Sequence, residues 1–351
     1  MDEIIEKRLH FALSILFLSI INYIFRIIFN AILKNFSVNE ETEILLTYIT
    51  FAIMMISSAI IVFYIFSKTS LKLDEDEEEE PTSEKQSLTI KEKDAPSLNS
   101  LFQGFTFKNF GSQLKSALIL ICIIYIPLDF FSYVIPLIFK LDVLEYQTDA
   151  LTSSFFGNYL LYDISLMIIM TIIIHFFIAL KEEFVFRGFY IFMGEKKLNK
   201  STAFIYSAIL FGLAHFSYIF TTIEDGSEFF FPAWWFFNAT IIGITSAHFY
   251  ISKKQLWPLI IAHWVNNVIS AIILRRNYDG VPYWQESFLT IYVPIFVLGI
   301  VLFVIYRKAL IIHVKRIYNF FKDYIIETSP TLFAIDFGLI IIIWLMSLFS
   351  I

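Results

Sequence analysis

ISLMIIMTIIIHFFIALKEEFVFRGFYIFM, residues 164–193, is the stretch that decides the fold. From Ile164 to Leu180 it holds one strongly polar side chain, His175. A helix needs about 20 apolar residues to cross a bilayer, and this run has that length and character. Glu182-Glu183-Phe-Val-Phe-Arg187 then sets two carboxylates and a guanidinium into the same apolar setting. Ionisable groups at membrane depth are costly, so those that are kept pair with one another or line a functional cavity.

The rest of the chain has the same character. It is 58% hydrophobic and 19% aromatic, with a mean hydropathy of +0.70. A soluble domain is nearer 45–50% apolar, roughly, so this is an integral membrane protein. Nine stretches are long enough to span: 9–33, 43–66, 115–138, 159–193, 202–220, 232–250, 256–274, 287–306 and 331–351. The expected fold is all-α, a polytopic transmembrane helix bundle of about 8–9 helices. The fourth stretch is too long for one simple span, and an interfacial turn is expected within it. The first is too long for a signal h-region and reads as an anchor. Cys122 is the only cysteine, which excludes an internal disulfide and a cysteine zinc knuckle.

Three regions follow. Residues 1–66 form an N-terminal two-helix membrane region. Residues 67–114 form a loop whose Asp74–Glu80 run carries most of the net charge of −6. Like charges repel there and little apolar area can be buried, so a disordered cytoplasmic linker is expected. Leu101 to Phe110 is rich in Phe and suits the membrane surface. Residues 115–351 form the main bundle, with its functional core at 159–275. Lys and Arg cluster after alternate segments, at Lys7-Arg8, Lys68–Lys108, Lys196–Lys200, Lys253-Lys254 and Arg307–Lys322. This places the N-terminus in the cytoplasm, in a plasma (inner) membrane, with Arg275-Arg276 as the exception.

Two further polar motifs lie in apolar segments: Phe211-Gly-Leu-Ala-His215 in the fifth and His263-Trp-Val-Asn-Asn267 in the seventh. Residues four apart share a helix face, so Phe211 packs beside His215, and His263 and Asn267 project together. The same spacing sets Arg187 over Glu183 as an ion pair. Glu182 points about 100° away from Glu183, free for a different task. With Gly194, Ser201 and Lys254 taken as helix ends, Glu182 lies about 18 Å deep, His215 about 21 Å and Asn267 about 20 Å. His263 comes out at about 14 Å by the same rise. One shared site is therefore expected. His175 reads as a satisfied structural residue, His10, His248 and His313 as interfacial, and Asp129, near Pro127, as a residue where its helix loosens. Gly188, Ser207, Gly212, Ala214, Gly243, Ser246 and Ala247 read as packing positions, and Pro258 as a helix first-turn residue.

The series Glu-Glu-x-x-x-Arg (182–187), Phe-x-x-x-His (211–215) and His-x-x-x-Asn (263–267) resembles the CPBP family of intramembrane proteases. That family includes the CAAX-processing Rce1-type endopeptidases and bacteriocin-immunity homologues. The Gly243 stretch and Leu256-Trp257-Pro258 look like further blocks of its pattern, and the likeness covers about 180–270. The resemblance implies hydrolysis of a peptide bond within the membrane by a core in helices four to seven. Glu182 would activate water, His215 would hold it, and His263 and Asn267 would stabilise the oxyanion. Glu183, Arg187 and Phe211 would be structural supports. The family leaves two cofactor readings open: zinc on Glu182, His215 and His263, as in a metalloprotease, or a metal-free glutamate mechanism. The second is preferred, because Asn267 is a poor zinc ligand and a good oxyanion donor. Implied partners are membrane lipid and a membrane-associated peptide or protein, prenylated or bacteriocin-like, with no nucleic acid. The competing functions are a non-proteolytic scaffold or regulator of the same family and a transporter.

Overall fold

In the computed structural model the described residues are 2–36, 38–75, 98–139, 144, 159–217 and 230–348. They fold into nine long helices, and no strand occurs among them. These are α1 (Asp2–Leu33), α2 (Glu40–Glu75), α3 (Phe110–Ile138), α4 (Ile164–Lys197), α5 (Lys200–Phe216), α6 (Phe230–Lys253) and α7 (Trp257–Tyr278). The eighth, α8, opens at Tyr283–Tyr292 and continues as Val293–Glu327, and α9 is Pro330–Ser347. Seven are long and apolar enough to cross a membrane; α5 and α6 are the other two.

The exceptions follow from position. α5 is 17 residues long, and Ala203 to Ala208 on it is buried throughout. α6 carries Asn238, Thr240, Thr245, Ser246 and His248 among its apolar residues. Helices shielded by protein need not be apolar on every face. The two cross closely. A Cβ on Gly243 would lie 2.9 Å from the Ala208 carbonyl oxygen, and one on Gly212 would lie 2.0 Å from Thr240 Oγ1. Small residues let membrane helices approach in this way. By contrast, Val297, Ile300 and Val304 of α8 are more than half exposed, as suits a lipid-facing helix.

Local sequence sets the helix starts. Asp163 accepts from the backbone N–H of Ser165 and Leu166 ahead of α4. Asn199 accepts from Thr202 ahead of α5, and Ser329 from Leu332 ahead of α9. Each supplies a partner for an amide that the helix leaves unpaired. Pro258 stands in the first turn of α7, as expected.

The turn expected inside the fourth stretch stands at its start, at 159–161, and α4 then runs unbroken for 34 residues, with a π-helical segment at Phe184–Tyr190. Other expectations need correction. The linker expected over 67–114 is shorter. α2 extends to Glu75, and residues 98–105 form helical turns packed into the bundle, while 76–97 lie outside the described residues. Leu101 is fully buried, Phe102 and Phe105 flank the Phe184 ring, and Trp257 Nε1 donates to the Phe105 carbonyl at 3.1 Å. That segment is a plug between α4 and α7 and not a surface strip. α8 does not end near residue 306 but continues to Glu327. His248, close to the end of α6, is buried against His313, with their Nδ1 atoms 2.8 Å apart.

The first and last helices are joined by a buried network that no sequence pattern announced. Arg8 Nε donates to Asp336 Oδ1 at 2.7 Å, and the hydroxyls of Tyr206 and Tyr324 each donate to the same carboxylate at 3.0 Å. Asp336 is fully buried, and three donors from α1, α5 and α8 satisfy its charge. Arg275 and Arg276, the charge-bias exception, are also engaged. Arg275 donates to Asp279 and to the carbonyls of Leu160 and Tyr162, and Arg276 pairs with Glu286.

Candidate active site

Glu183 sits at the centre of the polar cluster. Its side chain is fully buried and reaches two partners: Oε1 lies 2.8 Å from His263 Nδ1, and Oε2 lies 3.3 Å from Arg187 Nε. The imidazole N–H donates to the carboxylate, which fixes the ring and turns its other nitrogen outward. Glu182 lies beside that nitrogen, with Oε2 3.7 Å from His263 Nε2. The two carboxylates thus face opposite edges of one imidazole. Glu182 keeps 20% of its side-chain surface, against none for Glu183, so only Glu182 has an open side. A gap of 3.7 Å is beyond a direct hydrogen bond and suits a bridging water.

Arg187 shares the fully buried level, and its contact with Glu183 is close but misaligned. All three guanidinium nitrogens and Glu183 Oε2 lack a hydrogen bond among the described residues. The π-helical segment that starts at Phe184 widens the turn, so residues 183 and 187 are not stacked as in a regular α-helix. The guanidinium carbon sits 3.9 Å from the Phe211 ring centroid, a cation–π contact that gives the charge a second partner. Ser207 Oγ donates to the Phe186 carbonyl at 2.8 Å, capturing an acceptor inside the widened segment.

Phe211 links the two histidines. Its ring is 4.8 Å from that of His215 and 6.0 Å, edge-on, from that of His263. His215 Nδ1 bonds its own helix at the Phe211 carbonyl, 3.0 Å away, and its ring lies near Glu182. Glu182, Glu183, Arg187, Phe211, His215 and His263 are therefore brought together. Asn267 is half-buried one turn beyond His263 and makes no hydrogen bond among the described residues.

Two residues here escaped sequence reading. Tyr125, from the motif-free α3, is fully buried with its ring 6.1 Å from that of His263, and its hydroxyl is 2.9 Å from Ser246 Oγ on α6. Ser246 had the look of a packing residue, and Tyr125 lay in an apolar run without a motif. The other singled-out groups are accounted for locally. Tyr159 bonds His175 Nε2 at 2.9 Å, and Ser270 and Tyr292 donate to the two Asp129 oxygens at 2.5 and 2.6 Å.

A zinc ion on Glu182, His215 and His263 would need three donors arranged around one point. Among the described residues no group of three or more His, Cys, Asp or Glu side chains is so arranged. His215 Nδ1 is committed to its own helix backbone, which leaves Nε2 as the nitrogen that would face an ion.

A helical membrane bundle that brings together a carboxylate, a buried counter-carboxylate and two imidazoles is compatible with hydrolytic chemistry inside the membrane. Residues 164–269, a little under a third of the chain, match the Rce1-like family, described as type II CAAX prenyl endopeptidase Rce1-like. The match supports a CPBP/CAAX protease assignment for this core and is consistent with a peptide hydrolase. No curated protein and no solved structure gives a significant match to the chain.

Proposed function

We propose that the chain is a glutamate-dependent intramembrane endopeptidase in which Glu182 is the general base. The observation that carries this reading is the division of labour between adjacent carboxylates. Glu183 is buried and spent on His263 and Arg187, while Glu182 is partly open and lies 3.7 Å from His263 Nε2, beyond a direct hydrogen bond. Glu182 takes a proton from a water as its oxygen attacks the substrate carbonyl. His215 helps to hold the water. His263 and Asn267 donate to the oxyanion that forms, and the carbon–nitrogen bond breaks as the proton passes from Glu182 to the leaving amine. Glu183 accepts from His263 Nδ1–H throughout, so donation from Nε2 is made by an imidazolium whose charge Glu183 balances. The substrate class is a membrane-associated peptide or protein, either prenylated at its C-terminus or a bacteriocin-type precursor. The basic flanks put the face that carries the N-terminus in the cytoplasm of a plasma (inner) membrane.

The test compares wild type with Glu182→Gln on membrane-peptide libraries, with products read by mass spectrometry. Removing a general base costs about 10²–10⁴-fold in rate. Equal product from both proteins would remove Glu182 from the mechanism.

A further inference from the structure

We propose that a cleft between α1 and α2, at the face opposite the N-terminus, binds the headgroup of a zwitterionic, amine-bearing phospholipid. The cleft has a volume of about 440 Å³, and its polar wall is built from two ladders. α1 contributes Arg26, Asn30 and Lys34, each four residues from the last, and α2 contributes Glu43, Thr47 and Phe51 at the same spacing. Residues four apart share a helix face, so the two ladders oppose each other in antiparallel order. Arg26 meets Phe51, with its guanidinium carbon 4.9 Å from the ring centroid, at the deep end. Lys34 and Glu43 stand at the rim, where Lys34 continues the helical bonding to the Asn30 carbonyl.

Depth identifies the ligand. Arg8 and Arg26 lie on the same helix, and eighteen residues at 1.5 Å each separate them by about 27 Å. A bilayer's hydrocarbon core is about 30 Å thick, so with Arg8 at one boundary Arg26 stands at the other. The cleft therefore opens among headgroups and neither in bulk water nor among acyl chains. Its charges sort along the axis. Two cations from α1 suit a phosphodiester, and the Glu43 carboxylate opposite suits an ammonium. Beside the cleft, Ile24, Ile27 and Ile28 of α1 are each about half exposed, a surface along which the lipid's acyl chains can lie. Inorganic phosphate shares the anionic chemistry but has neither the ammonium nor the chains.

The full chain, purified in detergent, is titrated with dioctanoyl phosphatidylethanolamine, dioctanoyl phosphatidylglycerol and sodium phosphate while thermal unfolding is followed. The ethanolamine lipid is expected to raise Tm saturably, the glycerol lipid to act at higher concentration, and phosphate to give no saturable shift. Arg26→Gln removes a charge-assisted bond and should weaken the ethanolamine lipid's apparent affinity by about tenfold or more. Asn30→Trp fills the cleft from an exposed position without changing charge and should abolish the response. Lys308→Gln, on α8, should leave it unchanged. An equal shift in wild type, Arg26→Gln and Asn30→Trp would overturn the proposal, as would no lipid shift or a saturable shift by phosphate alone. Should Arg26→Gln not fold, Asn30→Trp and Lys34→Gln carry the same comparison.

Discussion

Glu183→Gln should cripple stability where Glu182→Gln cripples only chemistry. Glu183 and Arg187 are both fully buried, so removing the carboxylate's charge strands a guanidinium that has no hydrogen bond among the described residues. Breaking such a pair costs about 3–5 kcal/mol. Two interactions survive: the amide oxygen can still accept from His263 Nδ1, and the Phe211 ring still faces the cation. The lower end, about 3 kcal/mol, is therefore the better figure. At about 2–4 °C per kcal/mol, Tm in detergent should fall by about 6–12 °C. Glu182→Gln, whose carboxylate keeps an open side and has no close buried partner, should move Tm by less than about 3 °C. Adding Arg187→Met to Glu183→Gln removes the stranded charge and should restore at least about half of the loss. The assay is thermal unfolding by circular dichroism on the three variants and wild type. An unshifted Glu183→Gln, a larger drop for Glu182→Gln, or a double variant less stable than Glu183→Gln would each refute the reasoning.

Three further outcomes are expected. Asp336→Asn, which weakens the partner of Arg8, Tyr206 and Tyr324, should cost about 3–5 kcal/mol and speed amide exchange along α9. Gly212→Ala would bring a Cβ to 2.0 Å from Thr240 Oγ1 and 3.0 Å from the Phe236 carbonyl, whereas Gly338 has nothing within 4 Å. The first should therefore lower stability by about 1–3 kcal/mol and the second should be neutral or raise it by up to about 1 kcal/mol, as read by unfolding midpoints. Peptide cleavage by the purified enzyme should survive a strong chelator, and loss restored by zinc would overturn the metal-free mechanism.

Much of this was readable because apolar runs and four-residue spacings are local properties. Each of the nine stretches became a long helix, and the pairs Phe211 with His215 and Glu183 with Arg187 met on their shared faces. Depth was less transferable. Glu182 is about 22 Å from the end of α4 and His263 only about 9 Å from the start of α7, yet they lie 3.7 Å apart. α4 overshoots its neighbours, so helix ends were a poor common level. The π-helical widening at Phe184 left no mark that periodicity detects. Tyr125 and Ser246 could not be matched, because a hydroxyl pair between α3 and α6 is separated by 121 residues and carries no spacing rule. α8 looked like a span followed by a basic loop, because charges that point away from a helix do not end it.

The bond between Arg8 and Asp336 also sets an order of events. Synthesis runs from the N-terminus, so α1 carries its cation into the assembling bundle long before the matching carboxylate exists. Until α9 arrives, the guanidinium must be served by water or lipid phosphate, and the helices around it stay loosely held. Ribosomal products that stop short of Asp336 would keep that vacancy for good.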